Sequence, residues 1–191
     1  MKKASLFLGF IVISLLVSAQ VTLKPTAGFN LSNFSQDPSS GQYKSQVGWQ
    51  LGGSIAFGKK FYIEPGLFYT GKSTKFVSSG SSSADIAYDI NGFRIPVAIG
   101  FNLLGNEKST LSIRGFGGAS AFIVGTTNNI NKDALNNATF GAFAGAGIDV
   151  WKMFADVSYE WSLSNIQKDI TAINVGKSRS LFISVGLRIN L

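Results

Sequence analysis

Eight charged residues stand at alternate positions within otherwise apolar, small or uncharged polar stretches, and they are the side chains with the most chemical potential. They are Lys24, Arg94, Arg114 and Arg188 among the bases and Glu64, Asp149, Asp156 and Glu160 among the acids. Because successive side chains of a strand point to opposite faces, the alternation puts all of them on one side of a sheet. Two roles are open to such a set: a charged path for ions or small polar solutes, or an interior salt-bridge network. The even balance favours the network, since buried charges are tolerated when they are paired.

The chain has few other side chains that could carry out catalysis. There is no histidine and no cysteine, which excludes a Ser-His-Asp hydrolase and any His- or thiolate-ligated metal site. Glu64 and Asp156 could form a carboxylate pair, but we expect arginines beside them, and ion pairing suits a structural role better. The glycine-rich segments 115–118 and 141–147 are not followed by a helix, as a phosphate-binding loop requires. We therefore predict a protein that is not an enzyme and that uses no cofactor or metal.

The charged residues are carried by segments with the period of β-strands. The clearest is 93–102 (FRIPVAIGFN), in which bulky apolar residues alternate with small or polar ones. This pattern predicts strands at 21–33, 46–57, 60–72, 86–102, 109–124, 138–150, 152–165 and 179–191. Long polar connections at 34–45, 73–85, 125–137 and 166–178 alternate with short ones at 58–59, at 103–108 and near Trp151.

The predicted strands have one apolar face, and no amphipathic helix is available to cover it. Alternating short and long connections, together with an apolar exterior and a polar interior, are typical of barrels in outer membranes. The predicted fold class is therefore all-β, an eight-stranded antiparallel up-and-down transmembrane β-barrel, narrow enough to be filled by side chains. Aromatic residues near strand ends favour the membrane interfaces; they are Trp49, Tyr69, Trp151, Tyr159 and Trp161.

The first residues have the order of a secretory signal. A basic start, Met1-Lys2-Lys3, precedes an apolar run from Leu6 to Val17, and Val17-Ser18-Ala19 offers small residues at a cleavage site. We predict a signal peptide over 1–19, a barrel domain over 20–191 and export to the bacterial outer membrane. Removal of the two leading lysines leaves 15 basic and 10 acidic residues, without a basic stripe, so we expect no nucleic-acid partner.

Several short motifs resemble PorT-type outer-membrane β-barrel proteins of Bacteroidetes. They are 24–33 (KPTAGFNLSN), 61–69 (FYIEPGLFY) and 93–97 (FRIPV), continued by 141–149 and Tyr159. The resemblance implies an eight-stranded barrel of OmpA/OmpX-like shape, in a family mostly without assigned activity and without catalytic residues. It also implies a link to protein secretion, because the founding member is implicated in secretion of surface proteins through the type IX system.

We accordingly expect a non-enzymatic integral outer-membrane protein that acts as a structural or interaction scaffold through its extracellular loops. The expected partners are outer-membrane lipid, the barrel assembly machinery and an unidentified protein bound through loops such as 78–83. Two alternatives remain open. One is a soluble lipocalin-like carrier, which also has eight strands but turns its apolar face inward onto a ligand. The other is a small channel.

Overall fold

A single antiparallel sheet closes on itself in the computed structural model, which describes residues 20–34, 41–78, 86–105, 109–128, 136–164 and 178–191. The strands are β1 (Val21–Phe34), β2 (Gly41–Gly58), β3 (Phe61–Ser78), β4 (Ile86–Leu104), β5 (Leu111–Asn128), β6 (Ala138–Val150), β7 (Met153–Ser162), β8 (Ser178–Leu187) and β9 (Ile189–Asn190). Each strand up to β8 pairs with the next, and β1 closes the barrel by pairing with both β2 and β8. The short β9 continues β8 along β1 beyond Arg188. The predicted eight-stranded up-and-down barrel is therefore confirmed, and the predicted signal peptide lies outside the described residues.

The described ranges contain no helix that is long and apolar enough to cross a membrane.

Strand alternation separates an apolar outer wall from a polar interior. On β3, Phe61 and Ile63 are exposed whereas Tyr62 and Thr70 are buried, and the same alternation follows the other strands. Buried polar residues outnumber buried apolar ones among the described residues. The arrangement is the reverse of the one that a lipocalin-like carrier requires, so that alternative is wrong.

Several strands extend further from the short turns than the alternation predicted. β2 already begins at Gly41, β3 continues to Ser78 and β5 continues to Asn128, so backbone pairing reaches into segments predicted as loops. Alternation cannot reveal these extensions, because the ladder is held by main-chain hydrogen bonds and needs no apolar face. β7 ends earlier than predicted, at Ser162. Residues 35–40, 79–85, 129–135 and 165–177, which belong to the predicted long connections, lie outside the described residues.

The three short connections lie together at one end of the barrel, which we call the short-turn end; the opposite end is the loop end. Each contains a residue with positive φ: Gly58 (131°), Gly105 (74°) and Trp151 (54°). Glycine adopts such a backbone readily, whereas tryptophan does so at a cost. The backbone N–H of Trp151 donates to the carbonyl of Thr110 (2.7 Å), which links this turn to the neighbouring strand connection.

Aromatic side chains on the outer wall gather at two heights. Toward the loop end, the ring of Tyr69 lies 5.5 Å from that of Trp49 and 5.3 Å from that of Phe93. Toward the short-turn end, the rings of Phe61 and Phe101 are stacked 6.1 Å apart. Two aromatic girdles that flank an apolar band are typical of membrane barrels.

Val97 lies midway between Phe93 and Phe101 on β4, so we expect it to mark the middle of the apolar band. Val97→Arg should lower the free energy of unfolding by about 2–4 kcal/mol, whereas Leu104→Arg, at the end of the same strand, should cost about 0–1 kcal/mol. Denaturant unfolding in phospholipid vesicles measures both values. Equal costs at the two positions would contradict this placement of the membrane.

Candidate functional site

Four side chains of alternating charge form a closed circuit across the interior, which we call the charge ring: Lys24, Glu64, Arg114 and Asp156. Lys24 Nζ lies 2.8 Å from Glu64 Oε1 and 3.8 Å from Asp156 Oδ2. Arg114 completes the circuit, because its Nη2 donates to Asp156 Oδ1 and its Nη1 lies 4.0 Å from Glu64 Oε2. Every acid of the ring therefore faces two bases, and every base faces two acids.

The position of these residues in their strands explains why they meet. Each is the fourth residue of an odd-numbered strand: Lys24 of β1, Glu64 of β3, Arg114 of β5 and Asp156 of β7. These four strands all run away from the short-turn end, so the same offset places the four side chains at a similar height. Layers built from alternate strands are also how other eight-stranded barrels fill their interior.

Asp149 and Arg188 extend the charge ring toward the short-turn end. Asp149 is 1% exposed and accepts hydrogen bonds from Arg114 Nε (2.9 Å), from Arg188 Nη1 (2.9 Å) and from Ser112 Oγ (3.2 Å). Arg188 occupies the interruption between β8 and β9, where its backbone N–H donates to the carbonyl of Lys152. Asp149 thus links Arg188, which lies beside the closing strand pair of the barrel, to the charge ring.

A second group of charges crosses the interior toward the loop end, and we call it the upper cluster: Lys72, Arg94 and Glu160. Arg94 Nε donates to Glu160 Oε2 (2.8 Å), which also accepts from Ser120 Oγ (2.8 Å). Arg94 lies on β4 and Glu160 on β7, so this ion pair reaches nearly across the barrel. Lys72 Nζ approaches the other carboxylate oxygen at 3.7 Å.

Three buried phenylalanines surround the cations of the upper cluster. The guanidinium carbon of Arg94 lies 4.3 Å from the ring centre of Phe182 and 5.3 Å from that of Phe143. Lys72 Nζ lies 4.8 Å from the ring centre of Phe122. Cation–π contacts of this kind hold a charged group over an apolar surface, so the cluster is fixed by rings as well as by Glu160.

The structure places all eight charged residues singled out from the sequence in the interior, six in or next to the charge ring and two in the upper cluster. Lys72 was missed, although the parity of β3 that places Glu64 and Thr70 inside also places Lys72 there. The described interior therefore holds five bases and four acids, not the even balance expected from the sequence. The excess positive charge belongs to the upper cluster.

The described residues line small interior cavities, among them three of about 60, 30 and 20 Å³. Glu64 and Arg114 line both the first and the second, so the charge ring lies between these two. Arg94 lines the first cavity and its partner Glu160 lines the third, so the upper cluster lies between the first cavity and the third. Among the described residues, no group of three or more Asp or Glu side chains is arranged to hold a metal ion.

Comparison with known proteins agrees with this architecture. A family model described as "Outer membrane protein beta-barrel domain" matches residues 5–188. The chain belongs to this family. Membership places it in the bacterial outer membrane, as predicted. Barrels of this kind generally have their short turns in the periplasm and their longer loops outside the cell. The finer PorT-type assignment stays a prediction, and no curated protein matches the chain.

The comparison with solved structures finds matches at low sequence identity. The outer membrane protein OprG from Pseudomonas aeruginosa superimposes with a TM-score of 0.53 and 12% identity, over 91% of this chain and 97% of its own. Ail, the attachment invasion locus protein of Yersinia pestis, gives a TM-score of 0.48 and 16% identity, over 89% of this chain and 99% of its own. At these identities, the likeness to OprG bears on the fold alone.

The charge ring predicts strong coupling between Lys24 and Glu64. Lys24→Met or Glu64→Gln alone leaves an uncompensated charge in the interior, and each should lower the free energy of unfolding by about 3–5 kcal/mol. The double variant should lose clearly less than the sum, because neither charge of the pair is left without the other.

Denaturant unfolding of the folded barrel in vesicles measures this cycle. Lys60→Met is the matched control, since Lys60 is exposed in a short turn and its loss should change stability by no more than about 0.5 kcal/mol. Additive effects of the Lys24 and Glu64 replacements would contradict the ring.

Proposed function

We propose that this protein is a non-enzymatic outer-membrane scaffold that acts through its extracellular loops, while its interior serves as a structural core. The observation that carries the proposal is the filling of the interior. Two salt-bridged layers cross it, and a cavity between them has a volume of only about 60 Å³. An eight-stranded barrel is just wide enough for side chains to fill it, and a continuous aqueous path requires a wider interior.

The interior charges support a structural rather than a catalytic role. Each of the four described interior acids lies within 4.0 Å of a base, and Asp149 and Glu160 also accept hydrogen bonds from serines. A general acid or base has to exchange its proton with a substrate in reach of it. These carboxylates are instead occupied by arginine and lysine, in cavities too small for most substrates.

The loops are the part of the chain that remains for recognition. The extracellular connections are rich in serine, asparagine and glycine, most clearly in 78–83 and 128–137. Loops positioned by a rigid scaffold often carry binding residues. The likeness of 24–33 and 61–69 to PorT-type proteins supports secretion of surface proteins as the process that this scaffold serves.

The absence of cysteine from the sequence makes a site-specific experiment direct. Ser81→Cys should react with a membrane-impermeant maleimide on intact cells, whereas Lys59→Cys in a periplasmic turn should react only after the outer membrane is permeabilised. With a photo-crosslinker attached through the same two thiols, Ser81→Cys should yield a discrete protein adduct that Lys59→Cys does not.

Reaction of both cysteines on intact cells would contradict the assigned orientation. Correct orientation without a Ser81-specific adduct, repeated from a position in another extracellular connection such as Thr171→Cys, would contradict the role of the loops in partner binding.

A further inference from the structure

The upper cluster carries one more positive charge than negative, and this charge lies inside the barrel. Lys72 and Arg94 face a single carboxylate, that of Glu160, whereas the charge ring is balanced. Among the other described acids, Asp89 is the one toward the loop end. It accepts a hydrogen bond from Ser73 Oγ (2.6 Å) and makes no ion pair with Lys72. We propose that the cavity beside Lys72 binds a small monovalent anion of halide size, which neutralises this charge.

Lys72 is the cation of the upper cluster whose charged group makes no hydrogen bond to the described residues. The carboxylate of Glu160 is taken up by Arg94, whose Nε and Nη2 lie 2.8 and 2.7 Å from Oε2. Lys72 Nζ reaches only Oε1, at 3.7 Å, which is too long for a hydrogen bond. The rest of the described chain offers its ammonium group no acceptor. Arg94 Nη2 is likewise buried without a hydrogen bond of acceptable geometry.

The surroundings of Lys72 increase the cost of leaving that charge uncompensated. Its Nζ lies 4.8 and 5.9 Å from the ring centres of Phe122 and Phe182, and both rings are buried. The face of an aromatic ring attracts a cation but carries no net charge. An isolated charge in such a setting is far less favourable than a paired one, so a small anion in the cavity would stabilise the charged form of Lys72.

The cavity of about 20 Å³ beside Lys72 has the size and lining that a single small ion needs. Lys72, Glu160, Thr139, Ser120 and Ser162 contribute polar groups to its wall, together with apolar side chains such as Val124, and the Glu160 carboxylate is the group that Arg94 already neutralises. Thr139 is 8% exposed, and a hydroxyl in this wall can donate to an anion. A space of this volume holds one water or one ion of similar size, and the ion, unlike the water, supplies a negative charge.

Bromide is the probe that tests this site, because it is small and gives an anomalous X-ray signal. Crystals of the full chain grown in sodium bromide should show a bromide peak between Lys72 Nζ and Thr139 Oγ1. The thermal unfolding midpoint in detergent should rise saturably with bromide when sodium sulfate keeps the ionic strength constant, since sulfate is too large for the cavity.

Matched variants separate the site from general salt effects. Lys60→Met, at an exposed turn, should keep the bromide-dependent rise, whereas Lys72→Met should lose it. The proposal is overturned if the wild-type crystals show no bromide peak at Lys72. An uncharged Lys72 would give this result. The proposal is also overturned if peaks occur only at exposed lysines, as an adventitious ion only, or if Lys72→Met responds like wild type. Should Lys72→Met fail to fold, the wild-type crystal still decides the matter.

Discussion

The alternation of charge around Lys24, Glu64, Arg114 and Asp156 is the constraint on which the rest of this barrel depends. An outer membrane requires an apolar exterior, and the period of a strand then sends the other half of its residues inward. Charged side chains are tolerated there only when each faces an opposite charge. Placing one at the fourth position of β1, β3, β5 and β7 satisfies this requirement with a single repeated spacing.

The ring also links parts of the chain that are far apart in sequence. Arg114 contacts carboxylates on β3, β6 and β7. One of them, Asp149, also forms an ion pair with Arg188 at the interruption after β8. The closing pair of the barrel, β1 with β8, is thus held by side chains across the interior as well as by its ladder. The upper cluster repeats the design with one acid fewer, and this difference is what makes it a candidate for binding an ion.

Much of this architecture could be predicted from the alternation of inward and outward positions along each strand. The alternation in 93–102 fixes the faces of β4, and the same rule places Glu64, Arg94 and Arg188 inside. Lys72 was missed because the pattern was followed only to Thr70, one inward position too early. The partners themselves could not be predicted, since the pairing of Arg94 with Glu160 depends on strand stagger across the barrel. The ends of β2, β3 and β5 were equally hidden, because main-chain pairing there leaves no apolar signature.

Planar-bilayer recording on the purified, folded wild-type protein tests most directly whether the two charged layers seal the interior. A sealed barrel predicts no discrete conductance steps over a wide range of voltage and salt concentration, while insertion is verified independently by the protection of the barrel from protease. Stable, reproducible steps from inserted wild-type protein would show a continuous path through the charge ring and the upper cluster, and would contradict the sealed scaffold.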